Sequence, residues 1–275
     1  MKKILAVSGG VDSVVMLHMF RDDEDAIVAH FDHGIRGNSA EDCAFVERLA
    51  KRYGKPFFSK RVSLGDCSEE KARDERYKFL RALAKEHGGE IYLAHHADDL
   101  VESVIINLLR GTGWRGLAPL SDLTLKRPLL KYRKKDLYKY AAEHNLTFRV
   151  DQSNYDEKYL RNRVRATLEA VDHEDFSTQI IELCRNQQQL SREISELESA
   201  LAPALNQRAA YDETENLVAL ELLRFWLQSQ SISQTRPQLE RILDAIRNFQ
   251  PQKRFSLGRG KFLRVGRYYL SVEQG

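Results

Sequence analysis

Residues 4–7 are apolar, residues 8–10 read Ser-Gly-Gly, and apolar positions return at helical spacing over 12–20. The first segment predicts a buried strand and the third a helix, with a polar glycine bend between them. The alternation then continues. Residues 26–31 read as a second strand, 39–54 as an amphipathic helix closed by Gly54, and 56–62 as a third strand. A long helix over 69–89 stops at two glycines, 90–96 is strand-like, and 98–111 is a helix ending at Gly111. Short apolar runs alternating with segments of 3.6 period predict an α/β fold with a doubly wound, mostly parallel sheet. Ligands in such sheets sit beyond the carboxyl ends of the strands, so the residues after each run are where chemistry is expected.

After about residue 166 the pattern changes. Ile180, Leu183, Leu190, Ile194, Leu197 and Leu201 recur at three- or four-residue intervals within 176–205, which predicts a long connector helix. Further helices are expected over 217–230 and 236–249, then a terminal hairpin over 262–274 turning near Gly266. The expected organisation is a catalytic domain over 1–168, a helical linker over 169–205, and a small, mainly helical basic domain over 206–275.

Composition narrows the class. A chain of 275 residues exceeds one typical domain, and 42% hydrophobic with 30% charged residues is ordinary for a globular protein. No apolar run reaches the roughly 18 residues of a membrane span. The apolar stretch after Met1 ends at Ser8, too short for a secretory signal. Cys43, Cys67 and Cys184 are widely spaced without a CxxC, which argues against a zinc site or a redox pair and for a reducing cytoplasm. The net charge of +3 says little, but its distribution says more. Six basic residues and no acidic one lie between Lys253 and Arg267, and 126–135 and 161–165 share that bias. Such segments suit a polyanion lying across several surfaces; singly, each is a solvated face.

The bend SGGVDS at 8–13 places free amides and the positive end of a helix dipole at one point, an anion cradle. It has neither the lysine of GxxxxGK[ST] nor the spacing of GxGxxG. A carboxylate at Asp12 beside phosphate calls for a cation, most simply Mg²⁺; the plain reading is that Ser8 or Asp12 caps the helix. Asp32 stands where an acid in an α/β nucleotide site meets a ribose hydroxyl, and Arg36 can face phosphate. In LAHHADDLVES (93–103), Asp99 and Glu102 share a helical face, and Asp98 also approaches Glu102. Capping explains one acid. Paired carboxylates also suit a charged amino group, held while a base takes its proton; a metal site lacks HExxH. Arg73 and Arg76 share a face beside Glu69 and Glu70, either an ion-pair surface or an anion contact. Arg110 and Arg115 flank Trp114, which can stack on a base or plug a core edge. Arg161, Arg163 and Arg165 suit phosphate contact or a transition-state clamp.

Together SGGVDS, the segment around 32–39, ARDERY (72–77), LAHHADDLVES, LLRGTGWRGL (108–117), RPLL (127–130) and DQSNYDEKYLRNRVR (151–165) resemble the PP-loop ATP pyrophosphatases. Within them they resemble the tRNA(Ile)-lysidine synthetases, in family order over roughly the first 165 residues. The later helices and basic hairpin resemble the first C-terminal domain of that family, and the further domain of longer members is expected to be missing. Ser103 stands where the family usually carries threonine. The resemblance implies a cytoplasmic tRNA-modifying ligase without a membrane partner, with a homodimer as a possible assembly. ATP would adenylate C2 of the wobble cytidine in the CAU anticodon of tRNA(Ile), releasing pyrophosphate, and free L-lysine would displace AMP to give lysidine. It implies that Ser8, Gly9, Gly10, Val11, Asp12 and Ser13 hold the nucleotide with Asp32, and that Asp12 holds Mg²⁺ or assists the reacting groups. It implies that Asp99 and Glu102 grip the lysine ammonium, while His95 and Arg76 orient the cytidine. A cytidine-thiolating relative and a non-catalytic nucleotide- or RNA-binding relative are the rival readings.

Overall fold

The computed structural model describes residues 1–32, 39–62, 69–120, 122, 124–149, 160–170, 174–248, 254–258 and 260–275. His33, Arg36, Cys67, the segment 151–159, Lys253 and Arg259 lie outside them. The chain divides into two compact units, Met1–Gln188 and Gln189–Gly275.

The first unit alternates as the apolar pattern requires: β1 (Lys2–Ala6), α1 (Val11–Met19), β2 (Ala26–Asp32), α2 (Ser39–Arg52), β3 (Phe57–Arg61), α3 (Glu69–Glu86), β4 (Gly89–Tyr92) and α4 (Ala97–Leu109). A short β5 (Leu125–Lys126), α5 (Lys134–Glu143) and α6 (Leu160–Ala170) follow. All pairs are parallel, in the order β3-β2-β1-β4-β5. Because side chains alternate along a strand, neighbours in one run enter different layers. Leu5, Val7 and Val28 pack with α1, α2 and α5, whereas Ile4, Ile27 and Ile91 pack with Tyr77, Leu80 and Leu83 of α3. Ile4 and Leu5 are both fully buried, and truncating either to alanine would cost about 2–5 kcal/mol. The helix α5 was not read from the sequence, where its start belongs to a basic run.

Helix α7 (Glu174–Leu201) spans the unit boundary, and a 3₁₀ turn ends it at Ala202–Ala204. The second unit continues with α8 (Ala209–Asp212), α9 (Asn216–Ser229) and α10 (Arg236–Arg247), then β6 (Arg254–Gly258), β7 (Lys261–Val265) and β8 (Leu270–Gln274). The expected hairpin is thus two strands of a three-stranded antiparallel sheet. Its core joins Leu223, Leu227, Leu239 and Ile246 to Leu263, Val265 and Leu270. The buried Tyr211 hydroxyl donates to Leu205 O at 2.7 Å, so the one polar atom of that side chain is satisfied. Among the described residues no helix is long and apolar enough to cross a membrane.

Candidate active site

The strand order reverses direction at the β1–β4 pair, the switch point at which a doubly wound sheet opens a crevice. Residues 8–10 leave β1 there and 93–96 leave β4, so the two motif-bearing loops are neighbours because their strands are.

At the first loop Gly9 has φ +97°, a left-handed conformation that side chains rarely adopt, and a Cβ there would sit 3.4 Å from Phe45 Cδ1. Gly10, at φ −72°, needs no such freedom; it is the N-cap of α1 and supplies no side-chain cap. A Cβ on Gly10 would meet only Ser8 Oγ, at 3.7 Å, so its bare backbone leaves the mouth of the bend open. Ser13 does not face that mouth. Its buried Oγ accepts from Ser8 N at 3.2 Å and Gly9 N at 3.1 Å and donates to Gly10 O at 2.9 Å. Ser13 thus shapes the bend from within, and the outward donors are the first-turn amides of α1, which have no intrahelical acceptor.

Asp12, in that first turn, accepts from Lys134 Nζ on both oxygens, at 2.7 and 2.8 Å. Its Oδ2 is 4.0 Å from His96 Nε2. His96 ends the β4 loop and is buried among acids: Asp98 Oδ2 lies 3.6 Å from its Nδ1 and Asp99 Oδ2 3.7 Å from its Nε2. Burial works against an imidazolium, but Asp98, Asp99 and Asp12 outweigh it and raise the His96 pKa. Asp98 binds α5 to α4, accepting from Arg133 Nε at 2.7 Å and from the Lys134 amide at 2.6 Å. Burial disfavours the Asp98 carboxylate, yet those bonds with His96 hold its pKa well below the usual range.

Asp99 caps its own helix by accepting from His96 N at 2.9 Å. Glu102, a turn further on, is 2% exposed and turned away from open space. Arg165 of α6 donates to its two oxygens at 2.8 and 3.1 Å, and Arg161 lies 3.4 Å away. Burial nevertheless raises the Glu102 pKa against the pull of Arg165. Asp99 and Glu102 therefore do not form the open pair of carboxylates expected from helical spacing: one caps and the other is clamped.

The other side of the loop is cationic. Burial lowers the His95 pKa to about 4, with Arg127, Arg76 and Arg161 adding to the effect against Asp99. His95 Nδ1 and Arg76 Nε are buried with no hydrogen-bond partner among the described residues. Arg73 and Arg76 stand over the Tyr77 ring at 5.0 and 5.4 Å, a cation–π stack on their shared face. Arg115 similarly covers Trp114 at 4.7 Å. Asp32 is buried at the end of β2, its Oδ2 3.4 Å from Arg61 Nε.

Three cations of the 126–135 run bond to other groups of the first unit. Arg127 Nη1 donates to the carbonyls of Leu120, Asp122 and Leu125, while Arg133 and Lys134 hold Asp98 and Asp12. These are the site residues the sequence reading missed. The signal present was Leu137 and Ala141 at helical spacing, with Asp136 accepting from Arg133 N at 2.8 Å. Cys184 is buried behind α4 with Leu100 and Val104, and burial pushes its thiol up to about 11. Among the described residues no three His, Cys, Asp or Glu groups converge as a metal cage.

The family model of the PP-loop domain ATP_bind_3 matches residues 1–171. The chain belongs to the PP-loop family, whose ATP-binding domain it carries. It is 39% identical over 177 residues to a tRNA(Ile)-lysidine synthase of Thermotoga sp. (strain RQ2), covering 59% of this chain and 43% of that one. It is 32% identical over 242 residues to the tRNA(Ile)-lysidine synthase of Caldanaerobacter subterraneus subsp. tengcongensis, covering 81% of this chain and 51% of the relative. The chain thus spans about half or less of the length of these curated relatives. Among solved structures it resembles the U34-tRNA thiolase NcsA from Methanococcus maripaludis with its [4Fe-4S] cluster, at TM-score 0.56 and 19% identity. That likeness covers 69% of this chain and 72% of the thiolase and shows a shared fold.

Proposed function

We propose that the chain is a tRNA-modifying ligase that adenylates the wobble cytidine of a CAU-anticodon tRNA(Ile) with ATP and joins free L-lysine to it. The observation that carries this reading is the uncapped N-terminus of α1 facing, through Asp12 and His96 at 4.0 Å, the acid-rich first turn of α4. One shore suits a polyphosphate and the other an ammonium. The similarity to lysidine synthases supplies the substrate class.

In this reading the backbone of residues 8–12 cradles the phosphates while Ser13 maintains the bend. Asp32 meets the ribose. Asp12 would hold Mg²⁺, since a single carboxylate with no cage among the described residues suits an ion that keeps its waters and substrate oxygens, and the ion would supply positive charge beside the phosphates. His95, neutral at physiological pH, and Arg76, with an unpaired buried Nε, present donors to the cytidine and its phosphate. The target base leaves its stack to reach them, as bases read in RNA loops do. Asp99 receives the lysine ammonium and helps deprotonate it, since only the neutral amine attacks. Glu102, clamped by Arg165, acts behind Asp99 by fixing α4 and adding negative potential. The basic strands of the second unit contact the tRNA backbone. The chain works in the cytoplasm, and a second copy is its proposed assembly partner.

The test is mass analysis of tRNA(Ile) nucleosides after incubation with ATP, Mg²⁺ and lysine. A cytidine heavier by one condensed lysine is expected. Unmodified cytidine despite pyrophosphate release would sink the lysine assignment, and thiolated cytidine would favour the rival chemistry.

A further inference from the structure

We infer that Lys134 is a phosphate-contacting residue of this site, held on Asp12 in the structure and able to turn to the nucleotide's phosphates when they bind. The inference rests on the ATP reading above and adds a residue to it. Lys134 opens α5, and its amide is fixed by Asp98 at 2.6 Å, so its backbone is anchored. Its side chain is not: it is 37% exposed, and its described contacts are Asp12 and the Tyr138 ring, 5.4 Å from Nζ.

Three neighbouring cations are already engaged by the fold. Arg133 holds Asp98, Arg165 holds Glu102, and Arg127 binds three carbonyls. The carboxylate that Lys134 bonds is itself 28% exposed, so water screens the pair and weakens the attachment. Nor does the fold need that pair to join α1 to α5. Leu137 and Ala141 pack into the same core as α1, and His18 Nδ1 lies 3.0 Å from the Tyr140 hydroxyl.

Position gives the pair its meaning. Asp12 belongs to the first turn of α1, so an ammonium 2.7 Å from its carboxylate is one side-chain swing from an anion on the first-turn amides. Alone, Asp12 would repel that anion. Paired, it is neutralised and keeps a cation in reserve. A flexible stem with a compact, rotatable charge suits this exchange, as phosphate-binding lysines do elsewhere.

The experiment is equilibrium dialysis of the full chain with ATP, with inorganic pyrophosphate and with adenosine, each in Mg²⁺ and in chelator. Lys134→Gln should weaken ATP and pyrophosphate binding by about tenfold or more, the size of a lost charge-assisted hydrogen bond, and leave adenosine unchanged. Lys134→Arg should recover most of the loss. In chelator, Asp12→Asn should bind ATP at least as well as the parent chain, because Lys134 is released. Lys134→Gln binding both phosphates like the parent, with only its Tm lowered, would make the pair structural and overturn the inference alone. A parent chain that bound no ATP in either condition would overturn the nucleotide reading with it.

Discussion

His95 and His96 are consecutive, yet they belong to two different regions of the crevice. Burial lowers the His95 pKa to about 4, and the charges of Arg127, Arg76 and Arg161 add to that against the opposing pull of Asp99. His96 lies among Asp98, Asp99 and Asp12, and its pKa rises. Burial opposes the charged form in both, so desolvation does not separate them; both feel Asp99, but His96 adds Asp98 and Asp12 to it whereas His95 sets three arginines against it. A single dipeptide at the end of β4 therefore divides a cationic shore from an anionic one. A nucleotide with a polar base and an amino acid with an ammonium require that division.

The largest expected way to break this contrast is through Glu102, the buried acid that the arginines of α6 clamp. Glu102→Gln should cost about 2 kcal/mol in urea denaturation at neutral pH. That is less than the 3–5 of a fully buried pair, because Arg165 and Arg161 remain a third to nearly half exposed. An unchanged midpoint would mean that α6 does not hold α4 through this contact.

A smaller effect, with opposite signs, should appear in pH. His95 has a depressed pKa, so stability declines as pH falls from the unfolded value near 6.5 through about 4, and His95→Gln should flatten that decline. His96 has a raised pKa, so its contribution is present below about 6.5 and lost as pH rises through the folded value. His96→Gln should accordingly cost more at pH 6 than at pH 9. Imidazole NMR titrations would read both midpoints; two ordinary values would erase the contrast. The smallest effect concerns Ser103, whose Oγ accepts from Arg161 Nη2 at 3.1 Å on an exposed face. Ser103→Thr keeps that hydroxyl and should change stability by no more than about 0.5 kcal/mol.

The sheet was legible because its central strands β1 and β2 are short apolar runs packed on both faces, a pattern that few other arrangements produce. The site was legible in part. Glycines at 9 and 10 and the acids at 12, 98 and 99 sit at strand ends, where topology alone sends ligands. The arginines and lysine of the 126–135 run were not. A cation on a surface and a cation folded against Asp98 or Asp12 have the same local sequence, and only the return of α5 to α1 distinguishes them. Glu102 shows the converse: helical spacing placed it beside Asp99, but its partners come from α6, some sixty residues away. Ser13 was assigned to the ligand and instead serves the loop, since a hydroxyl one turn inside a helix can bond either way.

That inward hydroxyl has a kinetic corollary. With Ser13 Oγ closing the bend, the loop's curvature does not depend on a guest. An arriving phosphate meets donors aligned in advance, and the ordering cost was met when the chain folded. Encounter should then be limited by diffusion and by the exchange of small ions at the mouth, with no refolding of the glycine bend along the way.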